Sequence, residues 1–310
     1  MRYVIIGGSA AAIGCIEGVR SVDKTGEIIL ITGETEWNYS RPLISYLLEG
    51  KTTRDKMWCR PDSFFTRNGV TVKAGVLATA LDAGDRTVRL STGERLAYDR
   101  LLAATGSRPF VPPIPGLETV ERTFCFQTLS DASALAEALR PESRVLILGA
   151  GLTGVKCAEG IRGLCAQIAI ADLAPRVLPA VLDDTAAAMV QARMEEKGVR
   201  FYLNDSAAAF RGNTARLQSG TELEFDVLVT AVGVRPNTQL VADAGGAVDR
   251  GILVDGRCAT TLPDVYAAGD CAQGYDAVSG EKRMLPLWPN AVLQGETAGI
   301  NMAGGRADYT

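Results

Sequence analysis

The stretch Val145-Leu146-Ile147-Leu148-Gly149-Ala150-Gly151-Leu152-Thr153-Gly154 decides the fold. Four apolar residues run directly into a turn that reads Gly-x-Gly-x-x-Gly. A short, wholly apolar run is the pattern of a parallel strand covered on both faces. In such a turn Gly149 permits the tight bend, Gly151 lets backbone approach a pyrophosphate, and Gly154 lets the next helix lie close to the strand. The helix that begins at Leu152 and Thr153 presents its N-terminal N–H groups to an anion. A second strand, Ile168-Ala169-Ile170-Ala171, ends at Asp172, where a carboxylate can accept from ribose hydroxyls, about 20 residues beyond the fingerprint. Strand, glycine turn, helix, strand and acid in this order point to a dinucleotide site. The competing interpretation is a glycine-rich packing turn in some other α/β unit.

The same arrangement opens the chain. Tyr3-Val4-Ile5-Ile6 leads into Gly7-Gly8-Ser9-Ala10-Ala11-Ala12, a helix is expected through Ile13, Ile16 and Val19, and the strand Ile28-Ile29-Leu30-Ile31 ends near Glu34. Read as a fingerprint this is Gly7-x-Ser9-x-x-Ala12, in which Ser9 puts a side chain at the position where backbone should meet the diphosphate. After each unit comes a run of short segments with turn signals. The first run covers Val70 to Lys73, Val76 to Leu81, Thr87 to Leu90 and Arg95 to Tyr98, which is expected to be an antiparallel meander. It feeds Ala103-Ala104-Thr105-Gly106-Ser107-Arg108-Pro109. After the second unit, a helix around Asp184 to Lys197 and an extended stretch from Arg200 to Leu203 precede further short strands. These feed Thr230-Ala231-Val232-Gly233-Val234-Arg235-Pro236. Two dinucleotide modules in one α/β chain follow from the repetition. Near the C-terminus, strand, turn and strand are expected across Ile252 to Asp255 and Val265 to Cys271. A helix over Asn290 to Met302, with Val292, Leu293, Thr297 and Ile300 at helical spacing, is announced by Pro289.

With 310 residues the chain exceeds one comfortable core, and two domains are expected. The balance of 32 basic and 36 acidic residues gives a net charge of −4 and argues against a nucleic-acid partner. No apolar run approaches the ~18 residues of a membrane span. Met1 to Val19 resembles a signal peptide in its apolar character, but Glu17 and Arg20 arrive early and the glycines fall at motif positions, so a cytoplasmic protein is expected. The 7 cysteines form no Cys-x-x-Cys pair, which argues against a disulfide framework, a zinc site or a thioredoxin-like redox pair; most are expected to be small buried fillers, and Cys59, between Trp58 and Arg60, is the one to test for reactivity. There is no histidine, and chemistry must therefore lean on a cofactor.

Taken together, Gly7-Gly8-Ser9-Ala10-Ala11-Ala12, Tyr39-Ser40-Arg41-Pro42, Ala104-Thr105-Gly106-Ser107-Arg108-Pro109, the fingerprint at Gly149, Val232-Gly233-Val234-Arg235-Pro236-Asn237 and Ala268-Gly269-Asp270-Cys271 resemble the FAD- and NAD(P)-dependent pyridine nucleotide-disulfide oxidoreductase family, in its rubredoxin-reductase and nitrite-reductase flavin-subunit branch. The resemblance implies two Rossmann-like domains, each with a parallel sheet and an antiparallel meander: an FAD domain over residues 1–115 and 239–310, with an NAD(P) domain inserted over 116–238. It implies that Glu34 binds the adenosine ribose of FAD and Ala78 lines the adenine, that Arg41 and Pro42 run near the flavin, and that Thr105 and Gly106 lie on the diphosphate side. Asp270 would serve the ribityl chain, and the helix starting near Pro289 would face the flavin N1/O2 edge, with Leu287 and Trp288 beside the ring. Asp172 favours NADH over NADPH by repelling a 2′-phosphate, although Arg176 stands near enough to oppose it.

Three departures refine that expectation. No cysteine occurs between Tyr39 and Tyr46, which argues against disulfide or peroxide chemistry at the flavin. Relatives carry Lys and Glu where this chain has Tyr46 and Lys156, so Lys156 is expected near flavin N5 with Tyr46 beside it; a solvent-facing Lys156 is the alternative. Relatives usually continue into a C-terminal interface domain, whereas this sequence stops at Thr310, so either the chain is truncated or the contact of a homodimer differs from theirs. The expected function is an FAD-dependent enzyme that takes hydride from NADH and passes electrons to a separate acceptor, a rubredoxin-like protein or a partner subunit. The alternatives are an NADH oxidase that uses oxygen, and a flavin-binding docking or assembly subunit with little turnover.

Overall fold

The computed structural model describes residues 1–276 and 278–309. It divides into two compact units, one made of residues 1–40, 58–107 and 236–310, the other of residues 41–57 and 108–235.

The first unit is organised on a five-stranded sheet in the order Val265–Ala267, Arg100–Ala103, Arg2–Ile6, Glu27–Thr32, Val70–Ala74, every neighbouring pair parallel. Val4, Ile5, Ile28, Leu30, Leu101 and Leu102 have no exposed surface, as continuous apolar runs in a sheet covered on both faces require. Burying each such side chain contributes about 1.5–3 kcal/mol. One face is covered by the helices Ala10–Val22 and Trp288–Met302, and the other by the antiparallel meander Ala78–Asp82, Thr87–Leu90, Arg95–Ala97. The Val70 to Lys73 segment is not part of that meander. It is the parallel edge strand of the main sheet, because Val70 and Val72 turn their side chains into the core formed with the helices.

The two helices meet through backbone. A Cβ on Gly14 or Gly18 would lie 2.2 Å from the carbonyl oxygens of Val292 and Glu296, and one on Gly295 or Gly299 would lie 2.0 or 2.3 Å from those of Ala11 and Cys15. Glycines four apart on each helix thus face the partner and bring the axes close. The buried stripe of the C-terminal helix is Ala291, Gln294, Gly295, Thr297, Ala298, Gly299 and Met302. The expected apolar stripe is corrected accordingly: Leu293 is 51% exposed, since a Leu side chain has no room where backbones touch.

The second unit repeats the plan. Its sheet runs Val199–Leu203, Gln167–Asp172, Arg144–Leu148, Val227–Thr230, Thr123–Phe124, all parallel, with a meander Ala207–Arg211, Thr214–Leu217, Glu222–Glu224. Both meanders carry a register shift in their first strand, at Ala78/Ala80 and at Ala207/Ala209. The units differ in their outermost strand, which comes from the C-terminal segment in the first and from the segment preceding the fingerprint in the second. Residues 41–57 belong to this unit through the short helix Ile44–Leu48, which lies against the helix Leu152–Ile161; a Cβ on Gly160 would meet the Ser45 carbonyl oxygen at 2.9 Å.

Candidate functional site

Each unit carries a glycine turn at the end of its first strand, and the two turns are built alike. Gly7 N–H donates to Ile31 O and Ala104 N–H to Ile6 O, both at 2.8 Å; Gly149 N–H donates to Ala171 O and Ala231 N–H to Leu148 O, also at 2.8 Å. Gly7 and Gly149 sit at φ +121° and +109°, and a Cβ there would strike Ala104 O at 2.0 Å or Ala231 O at 2.3 Å. Only glycine satisfies both demands.

In the second unit Gly151 has open space around its Cβ position, whereas a Cβ on Gly154 would come within 1.9 Å of Gly149 O. Gly151 therefore gives access to a ligand and Gly154 gives close helix–strand packing. Leu152 and Thr153 are exposed in the first turn, which contains no acid. Asp172 is held by two backbone donors, Ala150 N to Oδ2 at 2.6 Å and Ala174 N to Oδ1 at 2.7 Å, at the mouth of the same turn. Arg176 is committed elsewhere: it donates to Leu182 O at 3.2 Å and pairs with Asp184 at 3.2 Å. The chain's own charges around this cradle suit a ribose with free hydroxyls.

In the first unit Ser9 caps the helix Ala10–Val22 without using its hydroxyl for the cap, and again no acid occupies the first turn. Ala12 and Ile13 N–H donate to Ser9 O, so the N–H groups of Ala10 and Ala11 remain as the helix-terminal donors. Glu34 lies beyond the second strand and accepts from Tyr39 Oη at 2.6 Å. Ala78 begins the meander, half-buried. Thr105 Oγ1 donates to Asn237 O at 2.6 Å, Asn237 Nδ2 to Thr105 O at 2.9 Å, and Asn237 N to Gly106 O at 2.9 Å, which ties the Thr105-Gly106 turn to the later one. Ser107 Oγ donates to Asp270 Oδ2 at 2.9 Å. Gly269 to Cys271 form a 3-10 turn with Gly269 at φ +79°, correcting the strand expected through Asp270. The helix Trp288–Met302 starts with Pro289 in its first turn; Leu287 is 58% exposed and Trp288 rests against the core.

Arg41, Pro42, Tyr46, Arg108 and Gly233 fall in the second unit with Lys156. Arg41 Nη1 donates to Gln127 O at 3.1 Å. Lys156 Nζ lies 4.1 Å from the centre of the Tyr46 ring and pairs with Glu159 on the next helical turn. Lys51 Nζ, 5.8 Å from that ring, pairs with Glu49 at 2.8 Å. The Lys156 ammonium holds the Glu159 carboxyl below the usual carboxylate range. The structure thus brings Lys156 and Tyr46 together as a cation–π pair, worth about 0.5–1 kcal/mol at a partly exposed site.

Cys59 does not have a reactive thiol's surroundings. Burial pushes it up to about 11, and Arg60, whose guanidinium pairs with Glu17 at 2.7 Å, offsets little of that. Among the described residues no cluster of His, Cys, Asp and Glu could hold a metal ion, and no helix is long and apolar enough to cross a membrane.

A family model described as pyridine nucleotide-disulphide oxidoreductase matches residues 1–295. The NADH-dependent phenylglyoxylate dehydrogenase subunit epsilon of Aromatoleum evansii is 34% identical over 314 residues, covering 99% of this chain and 74% of that protein. A protein named NADH oxidase from Methanocaldococcus jannaschii is 30% identical over 321 residues, covering 100% of this chain and 71% of its own. Among solved structures, the covalent putidaredoxin reductase–putidaredoxin complex superimposes with a TM-score of 0.91 at 26% identity, over 98% of this chain and 76% of the other.

Proposed function

The chain belongs to the pyridine nucleotide-disulphide oxidoreductase family, and from that premise we propose that it is an FAD-dependent oxidoreductase that takes hydride from NADH onto flavin N5 and delivers electrons to a separate acceptor. The observation that carries the proposal is the doubled cradle: two glycine turns with matching hydrogen bonds, each opening onto a helix N-terminus without an acid. A single nucleotide site would need only one.

The residues present fit the two nucleotides. In the first unit Gly7, Ser9, Ala10 and Ala12 offer a turn and helix end to the FAD diphosphate, Glu34 a carboxylate to its adenosine ribose, and Asp270, oriented by Ser107, an acceptor to the ribityl hydroxyls. Ala78, Ala104, Thr105, Gly106, Gly269, Leu287 and Trp288 complete the proposed set. In the second unit Gly149, Gly151, Leu152, Thr153 and Gly154 take the NADH diphosphate, and Asp172, fixed by two amides, selects a ribose without a 2′-phosphate. FAD, when bound, would supply the exchange between hydride and single-electron transfer that no amino-acid side chain provides. The protein's part is positioning, which accounts for much of the acceleration in hydride transfer. Lys156, held over Tyr46, is the proposed cation of the hydride step, and Tyr46 keeps it in place. A cytoplasmic location and a small redox protein or partner subunit as acceptor belong to the same proposal.

The test is reoxidation of NADH-reduced protein by rubredoxin, ferredoxin, quinone, polysulfide and oxygen in parallel. Faster reoxidation by a redox protein supports the proposal. Oxygen outpacing every other acceptor would replace it with the NADH-oxidase alternative, which a relative of that name keeps in view. Flavin that binds but turns over with none of them would indicate a docking or assembly subunit.

A further inference from the structure

Resting on the assignment of FAD to the first unit, we propose that Gln294 is a binding and positioning residue for that cofactor: its Oε1 fixes the Gly269-Asp270 turn while its Nε2 donates to the diphosphate–ribityl stretch. Gln294 is 4% exposed, in the middle of the small-residue stripe where the helix Trp288–Met302 meets the helix Ala10–Val22. An amide has no packing advantage there, because its neighbours Ala291, Gly295, Ala298 and Gly299 show that the interface rewards small apolar groups. Burying it costs stability unless both ends are hydrogen-bonded.

One end is. Gly269 N–H donates to Gln294 Oε1 at 2.9 Å, which also settles which amide atom is oxygen. The other end has no partner among the described residues. Nor is Nε2 among the polar atoms sealed from solvent without a partner, as Ser45 Oγ, Tyr98 Oη and Asn213 Oδ1 are. Open space therefore reaches a donor that the protein itself leaves unused.

The surroundings say what that space takes. Adjacent Gly295 touches Ala11 in the first turn of the opening helix, and a Cβ on Gly269 would lie 3.3 Å from Ala11 Cβ and 3.6 Å from Ala291 Cβ. Nε2 is thus anchored where three backbones converge: the helix end proposed for the diphosphate, the turn that carries Asp270, and its own helix. Asp270 is an acceptor, with Oδ2 already receiving Ser107 Oγ at 2.9 Å, so it suits hydroxyls. An amide N–H beside it suits the anionic oxygens between those hydroxyls and the adenosine. Hydrophobic spacing does not single out Gln294; the signal in the sequence is its place between Ala291 and Ala298 at helical spacing.

The experiment compares FAD binding to apo protein for wild type, Gln294→Glu and Gln294→Met, by quenching of flavin fluorescence, with apo melting temperatures measured alongside. Gln294→Glu keeps an acceptor for Gly269 N–H and replaces the donor with negative charge, while Gln294→Met removes the donor without adding charge, so the two are read together. A dissociation constant raised about tenfold or more in both variants is expected. Wild-type affinity in Gln294→Glu with weaker binding in Gln294→Met would leave Gln294 as a brace for the turn alone and overturn the donor role. Wild-type affinity in Gln294→Met overturns the inference even where Gln294→Glu does not fold. A wild-type protein that binds no FAD would instead refute the proposed function itself.

Discussion

Replacing Gly295 by Ala tests the packing on which the proposed FAD site depends. The new Cβ would lie 2.0 Å from Ala11 O, 2.8 Å from Ala11 C and 2.9 Å from Ala11 Cα, all inside the 3.0 Å below which real Cβ atoms are not found. These are backbone atoms of the first turn of Ala10–Val22, so no side chain can swing aside, and the helices must part by roughly 1 Å to restore contact distance. Such overpacking costs about 1–3 kcal/mol and at times more. Against it stands the gain of Ala over Gly in a helix, about 1 kcal/mol. With the clash at backbone the upper part of the range applies, and a net loss of about 2 kcal/mol lowers the melting temperature of the apo protein by about 4–8 °C. Gly163, with nothing within 4 Å of its Cβ position, is the control, and Gly163→Ala should change little. Calorimetry on both variants reads the difference. An unchanged or raised melting temperature for Gly295→Ala would mean that the two helices do not touch through backbone, and the convergence around Gln294 would fall with it.

Asp172→Asn removes one of the two acceptors that hold Ala150 and Ala174 N–H, because an amide nitrogen cannot accept either. The dissociation constant for NADH should rise about tenfold, with FAD content unchanged and the preference over NADPH reduced; equal NADH affinity in titration would remove Asp172 from the site. Lys156→Ala should slow flavin reduction in rapid mixing with NADH, and an unaltered rate would make the Lys156–Tyr46 pair structural. For Cys59, pushed up to about 11 by burial, the thiolate fraction keeps growing far above the pH where an ordinary cysteine is fully ionised. Its alkylation rate, followed by peptide mass spectrometry, should rise several-fold between about pH 9 and 10, whereas an ordinary cysteine gains only about a third, and a rise that small would contradict the burial argument.

The two glycine turns were legible because their signal is local. A strand, a bend only glycine permits and a helix occupy about a dozen consecutive residues, and the two turns are closed by matching hydrogen bonds. Direction of pairing is not local, and Val70 to Lys73 alternates as plausibly for an antiparallel meander as for the parallel edge strand it forms. The face of the C-terminal helix was legible in part: Thr297 is buried and Val292 packs against the core, but Leu293 is exposed, because an interface made by backbone contact selects glycine and alanine, which carry little hydrophobicity. The association of residues 41–57 with the second unit depends on Ser45 meeting Gly160, more than a hundred positions away, and no periodicity encodes it. Lys156 was visible as a departure from its relatives, while its engagement with Tyr46 and Glu159 needed coordinates.

Anaerobic addition of NADH to the FAD-loaded protein tests the central claim most directly. If the doubled cradle holds a hydride donor and a flavin, the visible flavin absorbance bleaches within the mixing experiment, needs one NADH per flavin, and does so far less readily with NADPH. Flavin that stays oxidised in excess NADH, in a protein shown to bind both nucleotides, would contradict it.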